Sequence, residues 1–292
     1  MASPAEWLAG ARPRTLPAAL APVLAGTGVA AHLGGAVWWK ATLALLVSLA
    51  LQVGVNYAND YSDGVRGTDA DRVGPMRLVG SGAAEPAAVK TAAFVALGVA
   101  AAAGLVLAVT TAWWLVAVGL ACIVAAWFYT GGTRPYGYAG LGEVMVFVFF
   151  GLVAVVGTTY VQTETWEPAS FCAALGVGAL ACAILVANNL RDIPTDRDAG
   201  KRTLAVRLGD GPTRQLYAGL VLAAIAAGVA VAALTTWWAL LALAYAGAAA
   251  PATRAVLGGL GGPALVPVLQ QTGLAELVFG AGLFVGLLVG QA

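Results

Sequence analysis

The chain has 292 residues, of which 60% are hydrophobic and only 10% are charged, and its mean hydropathy is +0.85. Since a water-soluble protein carries about 25% charged residues, this composition excludes a soluble globular domain and indicates an integral membrane protein. The net charge of +1 at pH 7 excludes a strongly basic surface, so we expect no nucleic-acid partner.

Nine apolar stretches follow one another along the chain, and a membrane-spanning helix needs about 20 mostly apolar residues. They are residues 17–34, 41–60, 91–109, 112–130, 141–160, 170–190, 215–234, 237–253 and 273–290. The sequence therefore predicts an all-α integral membrane protein with about nine transmembrane helices. We expect residues 1–292 to form a single domain.

The basic residues fix the expected orientation of these helices. With nine spans, 14 of the 15 lysines and arginines fall on one side of the membrane, and only Lys40 falls on the other. Positive charge is retained in the cytoplasm. We therefore predict a multi-pass protein of the cell membrane with a cytoplasmic N-terminus and an external C-terminus.

A polar cluster closes the second predicted helix, in the run NYANDYSD. Asn56, Asn59, Asp60 and Asp63 stand at positions i, i+3, i+4 and i+7, so a helix places them on one face. Carboxylates at the end of a membrane span are costly and need a counter-charge. This pattern predicts a functional site at the cytoplasmic end of the helix.

A second such cluster, NNLRDIPTD, closes the sixth predicted helix. It contains Asn188, Asn189, Asp192 and Asp196 at comparable spacing. Pro194 lies inside it, and proline interrupts helical hydrogen bonding, so we expect the helix to kink or end between residues 190 and 193.

The two clusters resemble an internal repeat, because Asn59-xxx-Asp63-xxx-Gly67 recurs 133 residues later as Asp192-xxx-Asp196-xxx-Gly200. Hard oxygen ligands of this kind suit Mg²⁺, which is commonly bridged to substrate phosphates. The alternative is that these residues are helix caps and loop carboxylates paired with nearby arginines. We predict that the clusters hold Mg²⁺ and form the catalytic centre, with Asn59, Asp60, Asp63, Asp192 and Asp196 as ligands.

Basic and tyrosine side chains surround both clusters, which is the usual complement of a phosphate or diphosphate. The alternative is plain topology, with positive charge kept inside. The loop YTGGTRPYGYAGLGE, between the fourth and fifth helices, belongs to the same cytoplasmic rim. Our candidates for diphosphate binding are Arg66, Arg77, Arg134, Tyr138 and Lys201.

Together these motifs resemble the UbiA superfamily of intramembrane prenyltransferases. The segments that carry the resemblance are ARPRTLPA, NYANDYSDGVRGTDADRVGPMRLVGSG (motif 1, residues 56–82), YTGGTRPYGYAGLGE and NNLRDIPTDRDAGKRTLAVRLGD (residues 188–210, of which 188–207 are motif 2). They are most similar to the branch of 1,4-dihydroxy-2-naphthoate polyprenyltransferases of the actinobacterial type (MenA). Many members of the superfamily carry an aspartate where this chain has Gly67, and Asp69 and Asp71 are possible substitutes.

The resemblance implies a helical bundle around a central cavity that opens laterally to lipid. It also implies Mg²⁺-dependent transfer of a polyprenyl group from its diphosphate to 1,4-dihydroxy-2-naphthoate. Carbon dioxide and diphosphate are lost, and the product is demethylmenaquinol, the precursor of menaquinone. The lipid bilayer and these two substrates are the expected partners.

Two alternatives remain at this stage. Another aromatic acceptor would place the chain elsewhere in the same superfamily. A cation-coupled secondary transporter would also have repeats and intramembrane acids, but transporter acids lie near the middle of the membrane. Both motifs here close their helices beside arginine-rich loops on one side, which favours an enzyme.

Overall fold

The structure is a computed structural model that describes residues 2–67 and 76–291. Asp69 and Asp71 lie outside the described residues. Within these ranges every regular element is a helix. The helices are α1 (Pro4–Gly10), α2 (Pro17–His32), α3 (Trp38–Arg66), α4 (Pro86–Val109), α5 (Leu115–Phe128), α6 (Gly142–Thr163), α7 (Pro168–Arg191), α8 (Ile193–Asp198), α9 (Leu204–Leu208), α10 (Asp210–Leu234), α11 (Trp237–Leu257) and α12 (Gly262–Val289). Short 3-10 turns, Pro13–Thr15 and Tyr136–Ala139, lie between them.

The described residues supply nine apolar helical segments, one for each predicted span. Seven of them are long and apolar enough to cross a membrane by themselves: α3, α4, α6, α7, α10, α11 and α12. The segment before α2 joins it at a bend of 49° to make an eighth, and α5 is a shorter apolar helix of 14 residues. The expectation of an all-α membrane protein is therefore confirmed, with about the predicted number of spans.

Helix boundaries follow from local chemistry. Proline occupies the first turn of α1, α2, α4 and α7, where its missing N–H is not needed. Gly67 ends α3 in a left-handed conformation with φ of 72°, which glycine adopts without steric cost. The predicted break in motif 2 is also confirmed, because α7 ends at Arg191 and α8 begins at Ile193 with Pro194 in its first turn.

The most deeply buried span is α7, which packs against α6, α10 and α12. Its small residues allow close approach, as expected where lipid supplies no hydrophobic force between helices. At Gly151 of α6, an added Cβ would lie 2.8 Å from the carbonyl oxygen of Ala174 and 2.9 Å from the Cα of Gly178. Backbone contact at this crossing holds α6 against the centre of the bundle.

One stretch of α6, Phe147–Val156, is a π-helix, which the sequence pattern did not predict. Such wider turns are rare and occur frequently at functional sites. Here they turn Phe149, Phe150, Val153 and Ala154 towards the interior spaces described next.

Candidate active site

A cavity of about 560 Å³ lies between the ends of α3 and α7, and both acidic clusters line it. Asn59 and Asp63 come from the first cluster. Asn188, Asp192 and Asp196 come from the second. The two helix ends therefore converge on one site, as the repeat predicted.

In the first cluster, Asp63 is buried and accepts hydrogen bonds on both carboxylate oxygens. The Tyr138 hydroxyl donates to Oδ1 at 2.5 Å, and Nη2 of Arg77 donates to Oδ2 at 3.4 Å. One turn earlier, Oδ1 of Asn59 accepts from the Thr130 hydroxyl at 2.7 Å. The loop between α5 and α6 thus orients the oxygen donors of α3.

Asp60 is not brought to the cavity, although its spacing places it on the same stretch of helix. Its side chain is fully buried, and its carboxylate accepts the backbone N–H groups of Leu78 at 2.7 Å and Val79 at 3.0 Å. Both oxygens are used to fix the loop that carries Arg77. Asp60 therefore holds the segment next to Arg77 and does not line the described cavity wall.

In the second cluster, the Arg191 guanidinium forms a bidentate pair with Asp192. Its Nε and Nη2 lie 2.6 Å from Oδ1 and Oδ2, and Nη2 also donates to Oδ1 of Asn188 at 3.0 Å. Nζ of Lys201 lies 4.0 Å from Oδ1 of Asp196. Asp63, Asp192 and Asp196 thus each have a cation beside them within the cavity wall.

The structure divides the predicted diphosphate-binding residues into two groups. Arg77, Tyr138 and Lys201 line the cavity, and Nζ of Lys201 lies 4.5 Å from the centroid of the Tyr138 ring. Arg66 instead donates to the carbonyl oxygens of Thr130 and Gly132, outside the lining formed by the described residues. Its guanidinium is used to hold the loop between α5 and α6.

Arg134, the remaining candidate, is exposed at the tip of the same loop and is absent from the described cavity wall. Sequence reasoning also missed several side chains that do line the cavity. These are Arg12, Arg14, Gln52, Asp198 and Gln270. Arg12 and Arg14 come from the segment between α1 and α2, Gln52 and Gln270 are isolated polar positions within apolar helices, and Asp198 ends the short helix α8. Spacing carries no signal at these positions.

The donor set fits Mg²⁺ bound together with a phosphate. The described residues contain no group of three Asp, Glu, His or Cys side chains that could hold a metal ion by themselves. Mg²⁺ does not require such a cage, since it keeps several waters and is bound through one or two carboxylates plus substrate phosphates. The carboxylates of Asp63, Asp192 and Asp196, with the amides of Asn59 and Asn188, supply such oxygens around one space.

A second space of about 500 Å³ adjoins the first and is almost entirely apolar. It runs between α3, α4, α5 and α6 as far as Leu107, Leu115 and Val161 near the opposite ends of the helices. We call it the apolar groove. The residues common to the polar cavity and the apolar groove are Gln52, Asn59, Tyr129, Val146 and Phe150.

Two tyrosines stand beside this junction. Burial raises the pKa of Tyr129 and of Tyr136 above that of an ordinary phenol, which is itself protonated at neutral pH. The Tyr136 hydroxyl is occupied, since it donates to the carbonyl oxygen of Ala125 at 2.7 Å. Tyr129 lines both spaces. A cationic, oxygen-lined cavity that opens into an apolar groove is suited to an amphiphile with an anionic head and a hydrocarbon tail.

Residues 19–258 match the UbiA prenyltransferase family. The chain belongs to this family. It is 58% identical to the 1,4-dihydroxy-2-naphthoate octaprenyltransferase of Mycobacterium tuberculosis, over 100% of this chain and 99% of that protein. It is 37% identical to the Escherichia coli protein of the same name, over 95% of this chain and 94% of that protein.

Solved structures of more distant UbiA homologues share the fold. The Archaeoglobus fulgidus homologue bound to GPP and Mg²⁺ superposes with a TM-score of 0.71 at 16% identity, over 97% of this chain and 99% of that one. The Aeropyrum pernix homologue gives 0.73 at 15% identity, over 92% of this chain and 97% of that one. The bundle described here is therefore the UbiA fold.

Proposed function

We propose that this UbiA prenyltransferase transfers a polyprenyl group from polyprenyl diphosphate to 1,4-dihydroxy-2-naphthoate. The products are demethylmenaquinol, carbon dioxide and diphosphate. The observation that carries this proposal is the convergence of both acidic helix ends on one cation-lined cavity that opens into an apolar groove. The similarity to naphthoate octaprenyltransferases over essentially the whole chain supports the choice of acceptor.

The polar cavity would hold the diphosphate head of the donor. Arg77, Tyr138 and Lys201 offer donors to phosphate oxygens, and Asp63, Asp192 and Asp196 with Asn59 would hold Mg²⁺. When bound, Mg²⁺ would neutralise charge on the diphosphate and so make it a better leaving group. Arg77 and Lys201 also counter the charge that develops as the C1–O bond breaks, which lowers the barrier selectively.

The apolar groove would hold the hydrocarbon tail of the donor. Its wall is formed mainly by alanine, valine, leucine and phenylalanine side chains, so an extended prenyl chain there is removed from water. The same exclusion protects the allylic cation from hydrolysis once diphosphate leaves. Gly104 and Gly119 also line this space and add no side chain to its wall.

The acceptor ring would bind where the cavity and the groove meet, beside Tyr129 and Phe150. The ring carbon that bears the carboxylate forms the new bond to C1 of the prenyl group, whose bond to the diphosphate oxygen has broken. The bond to the carboxylate then breaks, carbon dioxide leaves, and its electron pair restores the aromatic ring. The atoms balance without a net proton transfer, so no strong general base is required.

The same reasoning orients the protein. We propose that residues 1–292 act as one domain in the cell membrane, with the N-terminus and the polar cavity facing the cytoplasm and the C-terminus outside. The basic residues support this orientation, because they are concentrated on the cytoplasmic side of a membrane protein. Arg77, Arg191 and Lys201 belong to that set, and all three line the polar cavity.

The test is product analysis with purified protein. Incubation with Mg²⁺, dihydroxynaphthoate and octaprenyl diphosphate should yield octaprenyl demethylmenaquinol by mass, and EDTA should abolish it. A parallel reaction with 4-hydroxybenzoate should yield no product. Asp192→Ala should lose at least about 100-fold in kcat while remaining inserted in the membrane. Full activity of Asp192→Ala at saturating Mg²⁺ would contradict the metal assignment, and transfer to hydroxybenzoate alone would contradict the acceptor.

A further inference from the structure

A buried carboxyl group behind the cavity has no role in the reaction described so far. Glu143 lies at the start of α6, and only 8% of it is exposed. Its Oε1 accepts a hydrogen bond from Nδ2 of Asn189 at 2.9 Å, whereas Oε2 has no hydrogen-bond partner among the described residues. Burying an acid that is only half satisfied costs stability. The one hydrogen bond of this carboxyl group, to Asn189, therefore indicates what Glu143 does.

That contact is to a side chain of the cavity wall. Asn189 belongs to α7, three residues before Asp192, and it lines the polar cavity. Because a carboxylate oxygen accepts hydrogen bonds, the amide nitrogen of Asn189 must face Glu143. Its carbonyl oxygen is then left for a ligand. The pairing thus fixes which end of the amide the cavity sees.

The Glu143–Asn189 pair lies near the junction where the acceptor ring would bind. Gly142, next to Glu143, packs against Tyr129: a Cβ placed there would lie 3.5 Å from the Tyr129 hydroxyl. Tyr129 itself lines both the polar cavity and the apolar groove. A hydroxylated ring held at this junction therefore has the Asn189 oxygen within the same wall.

We infer that Glu143 is a positioning residue that holds Asn189 so that its carbonyl oxygen accepts a hydrogen bond from a phenolic hydroxyl of the aromatic acceptor. This inference rests on the proposed function and adds an acceptor-recognition site to it. Accepting that bond selects a ring that carries a hydroxyl group. It also increases electron density on the ring, which favours attack on the allylic cation, while the hydroxyl keeps its proton.

The experiment compares two substitutions at the same position. Glu143→Met removes the acceptor oxygen, so the Asn189 amide loses its fixed orientation. Glu143→Gln retains an oxygen that can accept from Nδ2. We expect Glu143→Met to raise the KM and the Kd for dihydroxynaphthoate about tenfold, with the KM for octaprenyl diphosphate changed less than about twofold. Glu143→Gln should stay within about twofold of wild type in all three values.

Glu276→Met is the matched control. Glu276, in α12, is a second buried glutamate, and it is not part of the described cavity wall. It receives the same substitution, so a general effect of removing a buried acid would appear in both methionine variants. We expect Glu276→Met to leave the KM and the Kd for the acceptor unchanged.

A reciprocal pair keeps the test valid if Glu143→Met does not fold. Asn189→Asp alone sets two buried carboxyls against each other and should weaken acceptor binding. Adding Glu143→Gln supplies a donor to the new carboxylate and should restore the acceptor KM. Failure of this rescue, equal losses in Glu143→Gln and Glu143→Met, or a change in donor KM or Mg²⁺ requirement instead of acceptor KM would overturn the inference. Absence of naphthoate product with wild type would instead contradict the proposed function.

Discussion

At the scale of single residues, two aspartates three positions apart in α3 have opposite surroundings. Asp63 faces the cavity and accepts from Tyr138 and Arg77. Asp60 faces the protein and accepts from two backbone N–H groups. Replacing each aspartate by asparagine should therefore show which of the two is needed for catalysis and which is needed only for stability.

Asp60→Asn places an amide NH₂ opposite a backbone N–H, so one buried hydrogen bond is lost and two donors meet. We expect the free energy of unfolding to fall by about 1–3 kcal/mol, with a lower melting temperature in detergent. Asp63→Asn takes the counter-charge away from buried Arg77, so its melting temperature should fall as well, but only this variant should lower kcat by about 100-fold or more. Thermal melting and initial rates of both variants check this. An Asp60→Asn enzyme with normal stability and no activity would show that Asp60 acts in catalysis, as the sequence predicted.

The contrast also shows what sequence spacing can and cannot predict. Helical periodicity placed Asp60 and Asp63 on one stretch of helix, and the acidic clusters predicted the shared cavity. Spacing within one helix does not reveal which long-range partner each side chain meets. Asp60 bonds to residues 78 and 79, and Arg66 bonds to carbonyl oxygens beyond residue 129. Such pairings depend on how loops fold back, so they were not available from the pattern.

At the scale of elements, the apolar stretches predicted the helices well because the bilayer demands long apolar runs. The ends of the helices differ from the ends of the predicted apolar stretches where polar or aromatic residues continue a helix or interrupt it. Thus α3 extends to Arg66 through its acidic cluster, α12 begins at Gly262 with a 3-10 turn, and α5 is confined to Leu115–Phe128. The π-helix in α6 could not be predicted from hydropathy, because an apolar segment has the same hydropathy whether it forms a π-helix or an α-helix.

The crossing of α6 and α7 depends on glycine at the π-helix. Gly151→Val would bring a side chain into the Ala174 carbonyl and the Gly178 backbone, so α6 must move away from α7. We expect a loss of about 1–3 kcal/mol in stability and lower activity, since Val146 and Phe150 of the same helix line the cavity.

Gly157 of α6 serves as the comparison, because a Cβ there meets no atom within 4 Å. Gly157→Ala should be neutral or stabilise by about 0.5–1 kcal/mol through helix propensity. Thermal melting of the two variants in the same detergent gives the answer. Equal stability of Gly151→Val and wild type would show that the crossing is loose and that its close contact does not set the position of α6.

At the scale of the whole molecule, 14 of the 15 basic residues lie on the predicted cytoplasmic side, and the charge of the remaining one, Lys40, is compensated by its neighbours. Lys40, on the predicted outer side, is buried, and its Nζ donates to the Thr110 carbonyl at 3.2 Å and to the Thr111 hydroxyl at 2.9 Å. Glu164 lies 3.7 Å from the same nitrogen. A cation paired in this way does not oppose the orientation set by the other basic residues.

That orientation is open to a direct test with single cysteines at exposed positions on opposite faces. Thr165 follows α6 on the predicted outer side, and Arg134 lies in the loop on the predicted inner side; both are exposed. A membrane-impermeant maleimide added to intact spheroplasts should label Thr165→Cys, and it should label Arg134→Cys only after permeabilisation. The wild-type chain is the background control, since Cys122, Cys172 and Cys182 all lie within spans. The reverse labelling pattern would place the cation-lined cavity at the outer leaflet and contradict the orientation that the basic residues predict.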